Sequence, residues 1–139
     1  MAKQILCAID DTDHAKSAVI EAAELCALTG SPLTICTVNV LQGGLRGPPI
    51  YLHDDKVVER TLAEAASLAS KHGAKQIAKV VLSSRDIATA IIQYAEQNGF
   101  DHIIAGAGHH RGLSRLILGS VASDIVARAH CSVTIAMRR

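Results

Sequence analysis

Between Gly106 and Val126 the chain reads GAGHHRGLSRLILGSVASDIV. Gly106, Gly108, Gly112 and Gly119 bracket His109, His110, Arg111 and Arg115, and Ser120 follows directly. Glycines let backbone N–H groups approach a ligand closely and turn toward it. A serine hydroxyl and guanidinium groups add further donors, so the chemistry on offer is the binding of an anion. Gly119 stands inside a helical pattern, where glycine costs about 1 kcal/mol against alanine. A helix starting near Gly119 would aim its free N–H groups and its dipole at a phosphate. The competing reading is that this glycine gives a helix room to pack on a sheet. Arg46, Arg85, Arg111 and Arg115 are candidate phosphate partners, with solvated surface charge as the plainer role for each.

Other chemistries find little support. There is no GxxxxGK[ST] segment to carry a lysine to a β/γ-phosphate, and no GxSxG elbow to present a nucleophilic serine. His109 and His110 are adjacent, so on a helix their side chains diverge; no HxxxH spacing lies near them to suggest zinc. Asp10 is the one obvious candidate for a positioned base. A binding module is therefore expected before an enzyme, with slow hydrolysis of a bound nucleotide as the upper limit.

These residues need elements to position them. The run 3–10 reads as a buried strand and 11–30 as a helix, with Thr12 or Asp13 as cap and Gly30 as stop. A second strand follows over 31–41. The stretch 42–55 is dense in Gly and Pro and reads as a loop, either a lid or a solvated excursion. A helix is expected over 56–73, a strand over 74–84, a helix over 85–99, a strand over 100–108, a helix over 113–130 and a last strand over 131–139. The strands are too continuously apolar to keep one face wet. This implies a single α/β domain over 1–139: an open parallel sheet of five strands, with four helices on both faces.

Bulk properties fit that architecture. The chain has 139 residues, 49% of them apolar, enough for one core. The net charge of +1 and the aromatic content of 2% give no footing for nucleic-acid attraction or base stacking. No apolar run reaches the roughly 20 residues of a membrane span, and no signal peptide opens the sequence, so no membrane insertion and a cytoplasmic location are expected. The four cysteines, Cys7, Cys26, Cys36 and Cys131, read as small buried hydrophobes.

In an open parallel sheet, ligands bind beyond the carboxyl ends of the strands, where the strand order reverses. The sequence delivers Asp10 and Asp11, Val38 and Asn39, Ser83 to Arg85, and Ala105 with the glycine segment to that edge. Taken with "ILCAIDDTDHAKSAV", "FDHIIAGAG" and "LGSVASDIVARAHCSVTIAM", this arrangement resembles the universal stress protein family over the whole length. The resemblance implies a Rossmann-like sheet and a homodimer, commonly through the last strand. It also implies, in one branch, ATP or AMP bound with or without Mg2+. That branch carries Gly, two residues, Gly, nine residues, then Gly with Ser or Thr. Here Gly106 opens the pattern, Gly119-Ser120 close it, Gly112 supplies an extra glycine, and His109 stands where the second glycine belongs. His109 can point to solvent, lie over the phosphates as a donor, or fill the site; Gly108 is the neighbour able to take up the strained conformation. By resemblance Asp10 meets the nucleoside, with a helix N-terminal carboxylate as its alternative role, while Ala8, Val38 and Ala105 line the base pocket and Val121 completes the set. The functional expectation is a stress-response module acting on an unnamed protein partner. The alternatives are an adaptor dimer of the same fold without nucleotide, and a weak ATPase.

Overall fold

The strand β1 (Ile5–Ile9) is buried along its whole length, as a strand flanked on both edges and covered on both faces must be. In the computed structural model, which describes residues 3–44, 47–108 and 118–137, it pairs in parallel with β2 (Leu33–Gln42) on one side and β5 (His102–Gly106) on the other. β4 (Ile77–Ser84) pairs with β2, and β6 (Ser132–Ala136) pairs with β5, both in parallel. The parallel order is thus β4-β2-β1-β5-β6, with the reversal between β1 and β5.

Two helices cover each face. α1 (His14–Thr29) and α2 (Asp55–Lys71) share one core cluster with Ile5, Cys7, Ile9, Leu33 and Ile35. α3 (Ile87–Gln97) and α4 (Ser120–Arg128) share the other with Leu6, Ala8, Cys36, Ile103 and Ala105. The alternation of β1 side chains between the two clusters is the period of two expected of a strand. Ala18, Ala22 and Ala23 of α1 are completely buried, so this helix packs close to the sheet through small side chains. Each fully buried Ile, Leu or Val contributes about 1.5–3 kcal/mol relative to exposure.

Several element boundaries differ from those expected, each for a local reason. Asp13 occupies the N-cap of α1 without a side-chain cap bond and pairs instead with Lys16 at 3.2 Å. The Thr12 hydroxyl is spent on Asp10. Gly30 stops the helix as anticipated, with φ 72° and its N–H donating to the Cys26 carbonyl at 2.8 Å. The stretch 42–55 is not loop throughout. A two-residue strand, β3 (Ile50–Tyr51), pairs antiparallel with Leu41 and Gln42 at the tip of β2. The last helix begins at Ser120; Leu118 and Gly119 lie before it, and 113–117 fall outside the described residues. As an edge strand, β4 exposes Lys79 and Val81, so its outer side is wet.

Cys7, Cys26 and Cys36 are buried, with burial pushing Cys26 up to about 11 and Cys36 up to about 12 and raising Cys7 further still. They are protonated, unreactive thiols at neutral pH. Cys131 is only half-buried, because it lies just outside the edge strand β6. No described helix is long and apolar enough to cross a membrane.

Candidate nucleotide site

At the reversal point, the carboxyl ends of β1 and β5 diverge and open a cavity of about 100 Å³. Ala8 and Asp10 come to it from β1 and the turn after it, Ala105 and Gly106 from β5, Gly108 from the segment beyond, and Val121 from α4. Five of the residues singled out from sequence, Ala8, Asp10, Ala105, Gly106 and Val121, therefore meet at one place. Val38 lines a neighbouring cavity of about 90 Å³ with Thr37, Val40, Leu52 and His53. The two cavities share Ile9, Asp10 and Ile87, and so form one cleft across the ends of β2, β1 and β5. Either one alone is below the roughly 300–1,000 Å³ of a small-molecule site. A larger hollow of about 480 Å³ opens at the same end of β1, sharing Ile9, Asp10 and Ala15 with the first cavity, and runs along the seam between α1 and α2 past Val19, Ala65 and Leu68, rimmed by charges of both signs. It follows a helix seam on one face of the sheet, whereas the cleft sits at the strand-order reversal, where sheets of this kind bind ligands.

Asp10 is exposed. Its Oδ1 accepts from the Thr12 N–H at 3.0 Å and from the Thr12 hydroxyl at 2.5 Å. These bonds form a turn that leads the chain from β1 into α1 and fix the carboxylate at the mouth of the cleft.

The glycines stand where a side chain would be tightly crowded. A Cβ on Gly106 would lie 3.0 Å from the His14 carbonyl oxygen, so the first turn of α1 presses directly on the end of β5. Gly108 has φ +90°, in the region that favours glycine, and a Cβ there would lie 3.0 Å from the Gly119 Cα. A Cβ on Gly119 would lie 3.2 Å from the Gly108 Cα and 3.3 Å from the Ala107 carbonyl oxygen. The Gly119 N–H donates to that same oxygen at 2.7 Å. Room for packing is thus an observed role of Gly106 and Gly119. Ser120, exposed, is the first residue of α4. The Ser123 N–H is the one that returns to the Gly119 carbonyl, at 2.9 Å. The N–H groups of Ser120, Val121 and Ala122 precede it and have no partner within the helix.

Sequence reasoning missed several lining residues. His14 and Ala15 enter from the start of α1, Ile87 and Ile91 from α3, and Ala122 and Ile125 from α4. The helical spacing of Ile87 and Ile91 signalled a buried face without saying that its first turn reaches the cleft. Asn39, expected among the residues available to a ligand, is committed elsewhere. Its amide nitrogen donates to the His53 carbonyl at 3.0 Å, its amide oxygen accepts from the His53 N–H at 3.0 Å, and the residue is 3% exposed. Ser84 likewise bonds the Asp86 backbone, and Arg85 lies against Gly44. His109, Gly112, Arg111, Arg115 and Arg46 lie outside the described residues. Among the described residues, no group of three His, Cys, Asp or Glu side chains is placed to hold a metal ion.

Comparison with known proteins follows the same line. The model of the universal stress protein family matches residues 1–136. A universal stress protein of Methanocaldococcus jannaschii is 40% identical over 48 residues, which span 34% of this chain and 28% of that protein. A universal stress protein solved in complex with cAMP superimposes with a TM-score of 0.78 at 19% identity, covering 99% of this chain and 98% of the other; at that identity the likeness speaks to the fold. The universal stress protein of Archaeoglobus fulgidus in complex with dAMP gives a TM-score of 0.71 at 26% identity, covering 98% of this chain and 99% of the other.

Proposed function

Because the chain belongs to the universal stress protein family, we propose that it binds an adenine nucleotide, AMP or ATP, in the cleft at the carboxyl edge of the sheet and acts as a cytoplasmic, homodimeric stress-response module. One observation carries this reading. Ala8, Asp10, Ala105, Gly106, Gly108 and Val121 converge on the strand-order reversal, and the backbones of Gly108 and Gly119 touch where α4 begins. The dAMP complex of the Archaeoglobus fulgidus relative supports it.

The roles follow from the chemistry of each group. Val38, Val40 and Ile87 offer apolar walls to a purine. The Asp10 carboxylate, held by Thr12, accepts from ribose hydroxyls. The first-turn N–H groups of α4 and the Ser120 hydroxyl donate to phosphate oxygens, favoured by the helix dipole. The dimer uses the open edge of β6. The Ala136 carbonyl accepts from Ala107 on the β5 side at 3.2 Å, and backbone groups alternate along a strand. Val133 and Ile135 therefore turn their N–H and C=O groups away from β5, as an unpaired edge that a second copy can cover.

Calorimetric titration with AMP and ATP, run beside an assay for released ADP, tests the reading. Saturable heat with no ADP above buffer is the expected result. Absence of heat with both nucleotides leaves the adaptor dimer as the function. Steady ADP release that is lost in Asp10→Ala makes the protein an ATPase.

A further inference from the structure

The cleft is too small to bury a nucleotide by itself. Its two cavities, of about 100 and 90 Å³, fall under the roughly 300–1,000 Å³ in which proteins enclose most of a small ligand. Part of a bound nucleotide would stand outside them, where the neighbouring surface decides what covers it. That surface is the hairpin made by the tip of β2 and the strand β3. Leu41 pairs with Tyr51 and Gln42 with Ile50, so Val40 stands opposite Leu52, whose N–H donates to the Val40 carbonyl at 2.8 Å. Residues two apart share a face of a strand, and residues directly opposite share it across an antiparallel pair. Val38, Val40, Leu52 and Ile50 therefore form one apolar stripe. At its inner end Val38 is buried in the core cluster that holds Ala8 and Ala105, the face on which the cleft opens. Val38, Val40 and Leu52 line the second cavity. At its outer end Leu52 is 51% and Ile50 71% exposed.

Single exposed apolar residues are ordinary on a protein surface. These two continue a buried stripe outward from a cavity, and the hairpin that carries them is fixed at its base, where Asn39 ties His53 with two hydrogen bonds. We propose that Ile50 and Leu52 form an apolar hood that closes on the base of the bound nucleotide, and that they are specificity-determining residues for a flat aromatic ring. This rests on the nucleotide reading above and deepens it. The occupant follows from the chemistry of the stripe. Its side chains offer no hydrogen-bond partner to ribose or phosphate, whereas covering a planar ring with aliphatic groups removes apolar surface from water. The backbone of the hairpin is already in place, so closure is a rotation of the Leu52 and Ile50 side chains.

Ile50→Ser tests the proposal in the full-length protein, with Leu28→Ser as control. Leu28 is 86% exposed on α1 and lines neither cavity of the cleft, so both variants remove an exposed aliphatic side chain that the core does not use. In calorimetry the AMP affinity falls at least fivefold in Ile50→Ser and changes less than twofold in Leu28→Ser. Ile50→Val, which keeps a branched apolar side chain, stays within twofold of wild type. Ile50→Trp gives a readout that a merely structural role would not move. The chain has no tryptophan of its own, so the introduced indole reports alone. Its emission shifts to shorter wavelength on saturation with AMP, as the ring leaves water, and stays in place with ribose 5-phosphate at the same concentration. An AMP affinity within twofold of wild type in Ile50→Ser overturns the hood, and so does an equal loss in Leu28→Ser. Emission from Ile50→Trp that AMP leaves unchanged, or that ribose 5-phosphate shifts equally, overturns closure on the base. A wild-type protein that binds no AMP overturns the nucleotide reading itself, and the hood with it.

Discussion

Asn39→Ala removes a side chain whose whole hydrogen-bonding capacity goes to one backbone unit. Asn39 stands on β2, and its amide both donates to and accepts from His53 at 3.0 Å. Only an amide offers a donor and an acceptor at that spacing, so no smaller residue can hold both. The tie fixes the chain as it comes off β3 into α2, with Leu52 donating its N–H to the Val40 carbonyl at 2.8 Å alongside. Each bond contributes about 0.5–1.5 kcal/mol net. His53 is half-buried, so water can recover part of the loss, and about 1 kcal/mol per bond is the reasonable figure. The variant should lose about 2 kcal/mol, a fall in Tm of about 7 °C given roughly 2.1 cal/mol/K of unfolding entropy per residue. Denaturant titration measures the loss, with an unchanged m-value expected. Amide exchange at His53 should quicken more than at Leu52, whose bond to Val40 remains. Leu52 and His53 also wall the cleft beside Val38, so AMP affinity should fall in the same protein. Stability within about 0.5 kcal/mol of wild type, with His53 exchange unchanged, would refute the reasoning, because ordinary surface substitutions cost no more than that.

Three further outcomes are expected. Asp10→Ala should weaken AMP and adenosine alike, since its proposed contact is with the ribose; calorimetry showing a loss confined to AMP would contradict that role. Val133→Pro deletes a backbone donor that faces away from β5 while leaving the β5–β6 ladder intact. Sedimentation should show weakened self-association of a folded protein, and a wild-type chain that remains monomeric at high micromolar concentration rules the dimer out. The His102 side chain reaches along β6 to Thr134, with Nε2 2.7 Å from the hydroxyl; desolvation and the nearby Lys3 charge lower its pKa in the folded protein. The unfolded chain then binds the proton more readily, so this contribution to stability is present above the ordinary histidine range and declines as pH falls below about 6.5. Replacing His102 with Gln should flatten that decline in denaturation curves measured between pH 7.5 and 5.

The architecture was readable because the signals were redundant. Continuous apolar runs and intervening helical periods fixed a parallel sheet, and a parallel sheet dictates where its strands deliver Ala8, Asp10, Ala105 and Gly106. What stayed hidden depended on single long-range contacts. The Gly and Pro density around β3 announces a turn and conceals the short antiparallel pairing of Ile50 and Tyr51 with Gln42 and Leu41, beside which Asn39 ties down His53. Asn39 itself read as a polar residue at a ligand edge, since nothing local tells an amide bound to backbone from one facing a ligand. The apolar pattern runs across Gly119 unbroken, so the sequence offers a helix start near Gly119 only as one reading beside a helix over 113–130; the start of α4 at Ser120, with Gly119 against Gly108, decides for it. His14 carries no motif; it reaches the cleft because α1 begins directly after the Asp10 turn.

Binding of an adenine nucleotide at the strand-order reversal is tested most directly by what the purified protein already holds. Gently purified protein is denatured, the chain is removed, and the released small molecules are identified and quantified by mass spectrometry against the protein concentration. An adenine nucleotide bearing at least one phosphate, approaching one per chain after incubation with AMP or ATP and gel filtration, is the predicted result. A supernatant without adenine nucleotide, even after that incubation, would contradict it.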